Sequence, residues 1–132
     1  QTGRGREKGI PEDELKNLGT INFAFDSSYL TEESKETLRR TAEFMDKNPA
    51  LNFSLTAHTD SRGTSEYNQW LSERRGIRVL EFLGQQGVGS ERISTSAFGE
   101  SKLLNHCKDG VRCTNPEHAV NRRVEIIITS FE

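Results

Sequence analysis

Between Asn52 and Leu83 the chain changes its hydrophobic period once, and that change constrains the fold more than any other feature. Phe53, Leu55 and Ala57 alternate with Asn52, Ser54 and Thr56, the two-residue period of a strand. Asp60-Ser61-Arg62-Gly63 follows with the residue types of a loop. Thr64 or Ser65 can then cap a helix by accepting backbone N–H bonds. At about 100° per residue, Asn68, Leu71, Ser72, Arg75, Val79 and Leu83 fall on one helical stripe. That stripe is polar where it leaves the loop and apolar further on. A core-facing stripe that opens with Asn, Ser and Arg reads as one whose first turns are reserved for a ligand. Asp60 sits at the strand end that opens onto those turns. Trp70 and Ile77 lie opposite the stripe and are expected to be at least partly exposed.

The remaining segments arrange themselves around this unit. Residues 1–19 read as a glycine-rich, charged tail or linker, with a short helix possible from Pro11 to Gly19. Residues 20–132 read as the folded domain. Ile21, Phe23 and Phe25 mark a first strand that stops at Asp26-Ser27-Ser28. Thr31, Glu32 and Glu33 start a helix whose inner face carries Leu38, Ala42 and Met45 and which ends at Asn48-Pro49. The long helix closes at Gly84 or Gly87. Ile93, Thr95 and Ala97 mark a third strand running into Phe98-Gly99. A cysteine-containing loop covers about 101–119, and a last strand from Arg123 to Thr129 holds Val124, Ile126 and Ile128 inward. The expected class is α/β, an α+β two-layer sandwich of the form βαβαβ(loop)β, with a mixed sheet covered by two main helices. Right-handed crossovers make the first strands parallel, and the last can be antiparallel. Strand order is not readable.

With 132 residues the chain suits one core. A net charge of −2 gives no general pull toward nucleic acid. No apolar run approaches the ~20 residues of a membrane span, and no signal peptide is present. A membrane connection is therefore expected only through an anchor or attached domain outside this sequence. Cys107 and Cys113 flank Asp109-Gly110, a tight turn that can bring the thiols together. A disulfide, which implies an oxidising compartment, is the expectation. The alternatives are two free thiols in a surface loop, or zinc shared with His106 and His118. Adjacent His-Cys ligands and the lack of a C-x-x-C pair weigh against zinc.

His58-Thr59-Asp60-Ser61-Arg62-Gly63, Tyr67-Asn68, Leu71-Ser72-Glu73-Arg74-Arg75, Phe98-Gly99-Glu100-Ser101 and Asn121-Arg122-Arg123-Val124-Glu125 together resemble the OmpA C-terminal-like family. These are periplasmic peptidoglycan-binding domains, also found in peptidoglycan-associated lipoproteins and flagellar stator proteins. The resemblance covers about residues 20–130. It implies ligand contacts by Asp60, Asn68, Leu71 and Arg75, and by Phe25 and Asp26 at the end of the first strand. Thr59 and Arg122 complete the expected set. Two positions depart from the family pattern. Ala57 stands where Gly is usual before His-Thr-Asp, and Gly76 stands where Ala is usual after the Arg pair.

The implied ligand is the diaminopimelate of the peptidoglycan stem peptide, whose free end carries one ammonium and one carboxylate on the same carbon. Arg75 offers a planar fork for the carboxylate, Asp60 accepts from the ammonium, and Asn68 can donate and accept. The competing structural reading is an Asp60–Arg75 salt bridge that ties loop to helix, and both can hold. The resemblance implies a non-catalytic domain of a Gram-negative periplasm that tethers the outer membrane or an envelope complex to the wall. The alternative is a protein-only envelope scaffold or stator domain. A hydrolase is disfavoured, because Ser61 or Thr59 would need an activating His and an oxyanion hole that nothing specifies. No cofactor or metal is expected. The basic residues lack the interleaved aromatics of a nucleic-acid platform.

Overall fold

A computed structural model describes residues 17–130. Its elements are β1 (Asn17–Asn22), α1 (Glu32–Lys47), β2 (Asn52–His58), α2 (Ser65–Gln85), β3 (Ile93–Ala97), α3 (Asn115–Ala119) and β4 (Arg123–Ser130), with one turn of 3-10 helix (Ser90–Arg92) before β3. The four strands form one mixed sheet in the order β1-β4-β2-β3. β2 and β3 pair in parallel, whereas β4 pairs antiparallel with both β1 and β2.

The helices start and stop where side chains satisfy their ends. Thr31 and Thr64 cap α1 and α2 by accepting the N–H of Ser34 and Tyr67. α2 ends two residues before Gly87, whose φ of 99° a side chain would resist. Gly84 lies inside the helix. The core takes Leu38, Ala42 and Met45 from α1, Phe53, Leu55 and Ala57 from β2, Val79 and Leu83 from α2, and Val124, Ile126 and Ile128 from β4. All of these were expected to point inward. Trp70 and Ile77 lie on the outer face of α2, 52% and 40% exposed.

Two expectations fail at the start of the domain. Gly19 does not end a helix. It pairs with Ile126 inside β1, whose first residue is Asn17; the rest of the expected helix lies outside the described residues. The first strand also stops earlier than its alternation implies. β1 ends at Asn22; Phe23 stays buried, but Phe25 stands 57% exposed beyond the sheet. The chain leaves the ladder here because Asp26 turns it with a φ of 55°, a conformation Asp tolerates better than most residues. In β3, Thr95 is exposed and Ile93 alone is buried, as suits an edge strand.

Ala57 and Gly76, the two small residues that depart from the pattern, face each other across the contact between β2 and α2. A Cβ on Gly76 would stand 3.6 Å from that of Ala57. The strand therefore carries the methyl group that the helix lacks, and the two departures amount to one reciprocal exchange that preserves close packing.

Candidate functional site

β1 and β2 both run antiparallel to β4, so their carboxyl ends flank its amino end. A cleft of about 460 Å³ opens at that edge. Its walls are Phe25 and Asp26 after β1, Thr59 and Asp60 after β2, Asn68, Leu71 and Arg75 from α2, and Arg122 before β4. All eight residues expected from the sequence are thus brought together. Arg62, Gly63, Thr64 and Tyr67 line the same cleft and were not anticipated. Arg62, Gly63 and Tyr67 stand in the quoted motifs and Thr64 directly follows one, and that was the available signal.

Asp60 is 3% exposed and does not pair with Arg75. Its Oδ1 accepts the backbone N–H of Arg62, and its Oδ2 accepts from the Arg62 guanidinium at 2.8 Å. Arg122 Nη1 lies 3.6 Å from the same oxygen. Burial pushes the Asp60 carboxyl up, but the side-chain and backbone hydrogen bonds from Arg62 outweigh it, and the group sits below the ordinary carboxylate range. Arg62 also lies over the Phe25 ring, 4.1 Å from its centroid. The guanidinium thus bridges two walls. Arg122 is fixed by donating Nε–H to the Phe23 carbonyl. Its neighbour Arg123 belongs elsewhere, donating to Glu125, Asn121 O and Lys102 O.

Arg75 is fully buried, and its fork is largely occupied. Nε donates to Ser27 O at 2.8 Å, Nη1 to His58 O at 2.9 Å and Nη2 to Ala24 O at 3.1 Å. These carbonyls follow β1 and end β2, so one side chain locks both strand ends to the helix. Burial lowers its pKa to about 10, with nearby Asp60 acting in the opposite direction; at neutral pH it stays charged. Three of its five N–H groups are used, and two remain. Arg78, one turn further on and half-buried, donates Nε–H to Ser28 O.

Asn68 faces the loop with its donor side. Nδ2 approaches Asp60 O, Arg62 O and Glu100 Oε1, the last at 2.7 Å. It shapes the cleft by pinning the 60–62 loop against the segment after β3. Ser72 completes that link by accepting the Gly99 N–H, while Gly99 O accepts from Thr59. Asp26 accepts a hydrogen bond from the Tyr67 hydroxyl. Two buried polar atoms on the cleft residues, Thr59 Oγ1 and Arg62 Nε, have no hydrogen-bond partner among the described residues. His58 turns away from this chemistry. Its ring meets the Thr56 hydroxyl and stacks on Phe98, and neither of those residues lines the cleft.

Cys107 and Cys113 form a disulfide. Of the histidines weighed as zinc ligands, His106 lies 3.8 Å from the Cys113 sulfur, whereas His118 is buried outside that cluster. The bridged loop is not remote from the cleft. Ser61, next to Asp60, donates its hydroxyl to the Cys107 carbonyl at 2.5 Å.

Comparison with known proteins gives this geometry a context. A porin of Pseudomonas fluorescens, outer membrane porin F, is 39% identical over 105 residues, covering 80% of this chain and 31% of the porin. The peptidoglycan-associated lipoprotein of Legionella pneumophila is 35% identical over 105 residues, covering 80% of this chain and 57% of the lipoprotein. The chain thus spans a third to somewhat over half of the length of these relatives. The crystal structure of the peptidoglycan-associated lipoprotein from Burkholderia pseudomallei superposes with a TM-score of 0.76 at 26% identity, covering 83% of this chain and 89% of that one. Among the described residues no helix is long and apolar enough to cross a membrane. The profile of the OmpA family matches residues 22–115, and the chain belongs to that family.

Proposed function

We infer that the cleft binds the diaminopimelate end of the peptidoglycan stem peptide, and that the domain tethers its parent protein to the cell wall in the Gram-negative periplasm. The observation that carries this reading is the charge pattern. One cleft holds Asp60 and Asp26 together with Arg62, Arg75 and Arg122, the two signs of charge that a zwitterion requires. In this reading Asp60 and Asp26 accept from the ligand ammonium, and the guanidinium groups of Arg62, Arg122 and Arg75 face its carboxylate. The unpartnered Thr59 hydroxyl adds a neutral contact, and Leu71 and Phe25 supply apolar walls. The membership in the OmpA family and the names of the lipoprotein relatives support the same class of ligand.

The role is binding, not catalysis. The Ser61 hydroxyl is committed to a carbonyl, and the His58 ring meets Thr56 and Phe98, so the two do not form the nucleophile–base pair a hydrolase needs. Hydrogen bonds to charged groups contribute roughly 1.5–3 kcal/mol each, and ordering a flexible peptide takes part of that back. A single site should therefore hold a soluble stem peptide at about micromolar to millimolar Kd, and the repeated epitope of the wall raises retention through effective concentration.

Asp60→Asn keeps the shape of the side chain and removes its charge. Purified sacculi should sediment the wild-type domain and leave the variant in solution, with circular dichroism unchanged. In calorimetry, a lysine-containing stem peptide, which lacks the second carboxylate, should bind much more weakly than its diaminopimelate counterpart. A folded Asp60→Asn variant that sediments like wild type would overturn the assignment.

A further inference from the structure

From the cleft wall outward, α2 exposes two neighbouring aromatic residues, Tyr67 and Trp70, the latter the chain's only tryptophan. They are 43% and 52% exposed, and their ring centroids lie 5.5 Å apart with the planes tilted by 37°. Two other exposed aromatics, Phe25 and Tyr29, each have a guanidinium over the ring, from Arg62 and Arg78. Among the described residues no cation covers Tyr67 or Trp70; their rings meet only each other. Tyr67 belongs to both features. It lines the cleft, and its hydroxyl donates to Asp26, which fixes the ring. Trp70 lies outside the cleft on the outer face of α2 and joins it through its contact with Tyr67. Glu66 and Arg74 stand four residues to either side of Trp70, one helical turn away.

We propose that Tyr67 and Trp70 form a stacking platform for a sugar ring of the N-acetylated glycan from which the stem peptide hangs. The proposal rests on the peptide reading of the cleft and adds a second subsite to it. A pyranose is neutral and presents a face of polarised C–H bonds; the electron-rich face of an indole or phenol complements it, while the ring edges stay wet. Diaminopimelate is joined to the glycan through about two residues of peptide, roughly 7 Å of extended chain, so a peptide seated in the cleft keeps its sugar near the cleft wall where Tyr67 begins the aromatic surface.

The test compares two soluble ligands, the free diaminopimelate-containing tetrapeptide and the disaccharide–tetrapeptide released from sacculi by muramidase. Calorimetry on the wild-type chain should give about threefold to tenfold tighter binding of the disaccharide form. Trp70→Ala should erase that difference while leaving the free-peptide affinity unchanged, and Trp70→Phe should keep most of it. Intrinsic emission reads the same residue directly, since Trp70 is its only indole source; it should shift with the disaccharide form and not with the free peptide. Equal affinities with unmoved emission would overturn the platform and leave the peptide cleft standing. Binding of neither ligand would overturn the peptide cleft and the platform with it.

Discussion

The two halves of α2 bury the same stripe against the same sheet by opposite means. Its second half buries Val79, Phe82 and Leu83, apolar side chains that gain stability by leaving water. Its first half buries Asn68, Ser72 and Arg75 just as deeply, at 2%, 0% and 0% exposure. Burial there is stable because the polar groups meet fixed partners, the three carbonyls around Arg75 and the loop atoms around Asn68. The apolar half makes a core that any well-packed side chains could fill. The polar half converts three irregular strand ends into one defined shape. The cleft stands over that half, where Arg75 and Asn68 reach backbone that is not in a ladder.

The contrast is broken most sharply at its two centres, Arg75 and Leu83. Arg75→Ala should cost on the order of 3–5 kcal/mol, since it strands buried carbonyls and removes the clamp between β1, β2 and α2. Leu83→Ala should cost about 2–5 kcal/mol by opening a cavity. The two should separate in function. At a temperature where both are still folded, Leu83→Ala should sediment with sacculi like wild type, and Arg75→Ala should not. Denaturant unfolding gives the first comparison. A loss below about 1 kcal/mol for Arg75→Ala would mean that the polar half contributes little to the fold.

Much of this division was legible in the sequence, because periodicity encodes which residues face inward. The stripe on α2, the alternation in β2 and β4 and the threonine caps all follow from local spacing, and the structure keeps them. Partners are a different kind of information. Asp60 pairs with Arg62 and Arg122 rather than Arg75, because β4 inserts between β1 and β2 and carries Arg122 to the strand end. That insertion is a long-range pairing choice which no local pattern records. The same holds for the Ser61–Cys107 hydrogen bond, which spans 46 residues in sequence. The Phe25 position failed for a local reason. Alternation continues in the sequence through Phe25, but Asp26 bends the chain out of the sheet before the pairing reaches it.

A smaller effect is expected at Asn68, where the polar half meets the loop. Asn68→Ala removes a buried amide that ties Asp60 O, Arg62 O and Glu100 together, so about 1–3 kcal/mol should be lost. The Asp60 carboxylate keeps its own pairing with Arg62, but the loop that presents it loosens. Stem-peptide affinity should fall further than the stability loss alone accounts for at temperatures where the variant is folded, and amide exchange at residues 60–62 should accelerate while exchange in the second half of α2 stays slow. Uniform acceleration along the helix would erase the distinction between its halves.

The smallest expected effect concerns pH, through the strand end that Arg75 holds. The His58 carbonyl accepts from Arg75, and its ring is buried against Phe98. Burial first, then the neighbouring charges of Arg123 and Lys102, lower the imidazole pKa from 6.5 to about 4, with Glu125 acting in the opposite direction. The folded chain therefore keeps His58 neutral where the unfolded chain has already taken up a proton. The stability so contributed is fully present above pH 6.5 and is lost as pH falls from 6.5 toward 4. Discounted for solvent screening, the loss should be roughly 1–2 kcal/mol, a few degrees in Tm. Glu100 works with the opposite sign, because burial and the adjacent Asp109 raise its carboxyl; Asp60, held low, acts only at more acidic pH. A direct comparison isolates the histidine. His58→Phe keeps a ring against Phe98 but cannot protonate, so its melting temperature should change less than that of wild type across the same window. Parallel profiles would show that the strand end is insensitive to the charge on His58, and that the clamp from Arg75 alone sets its stability.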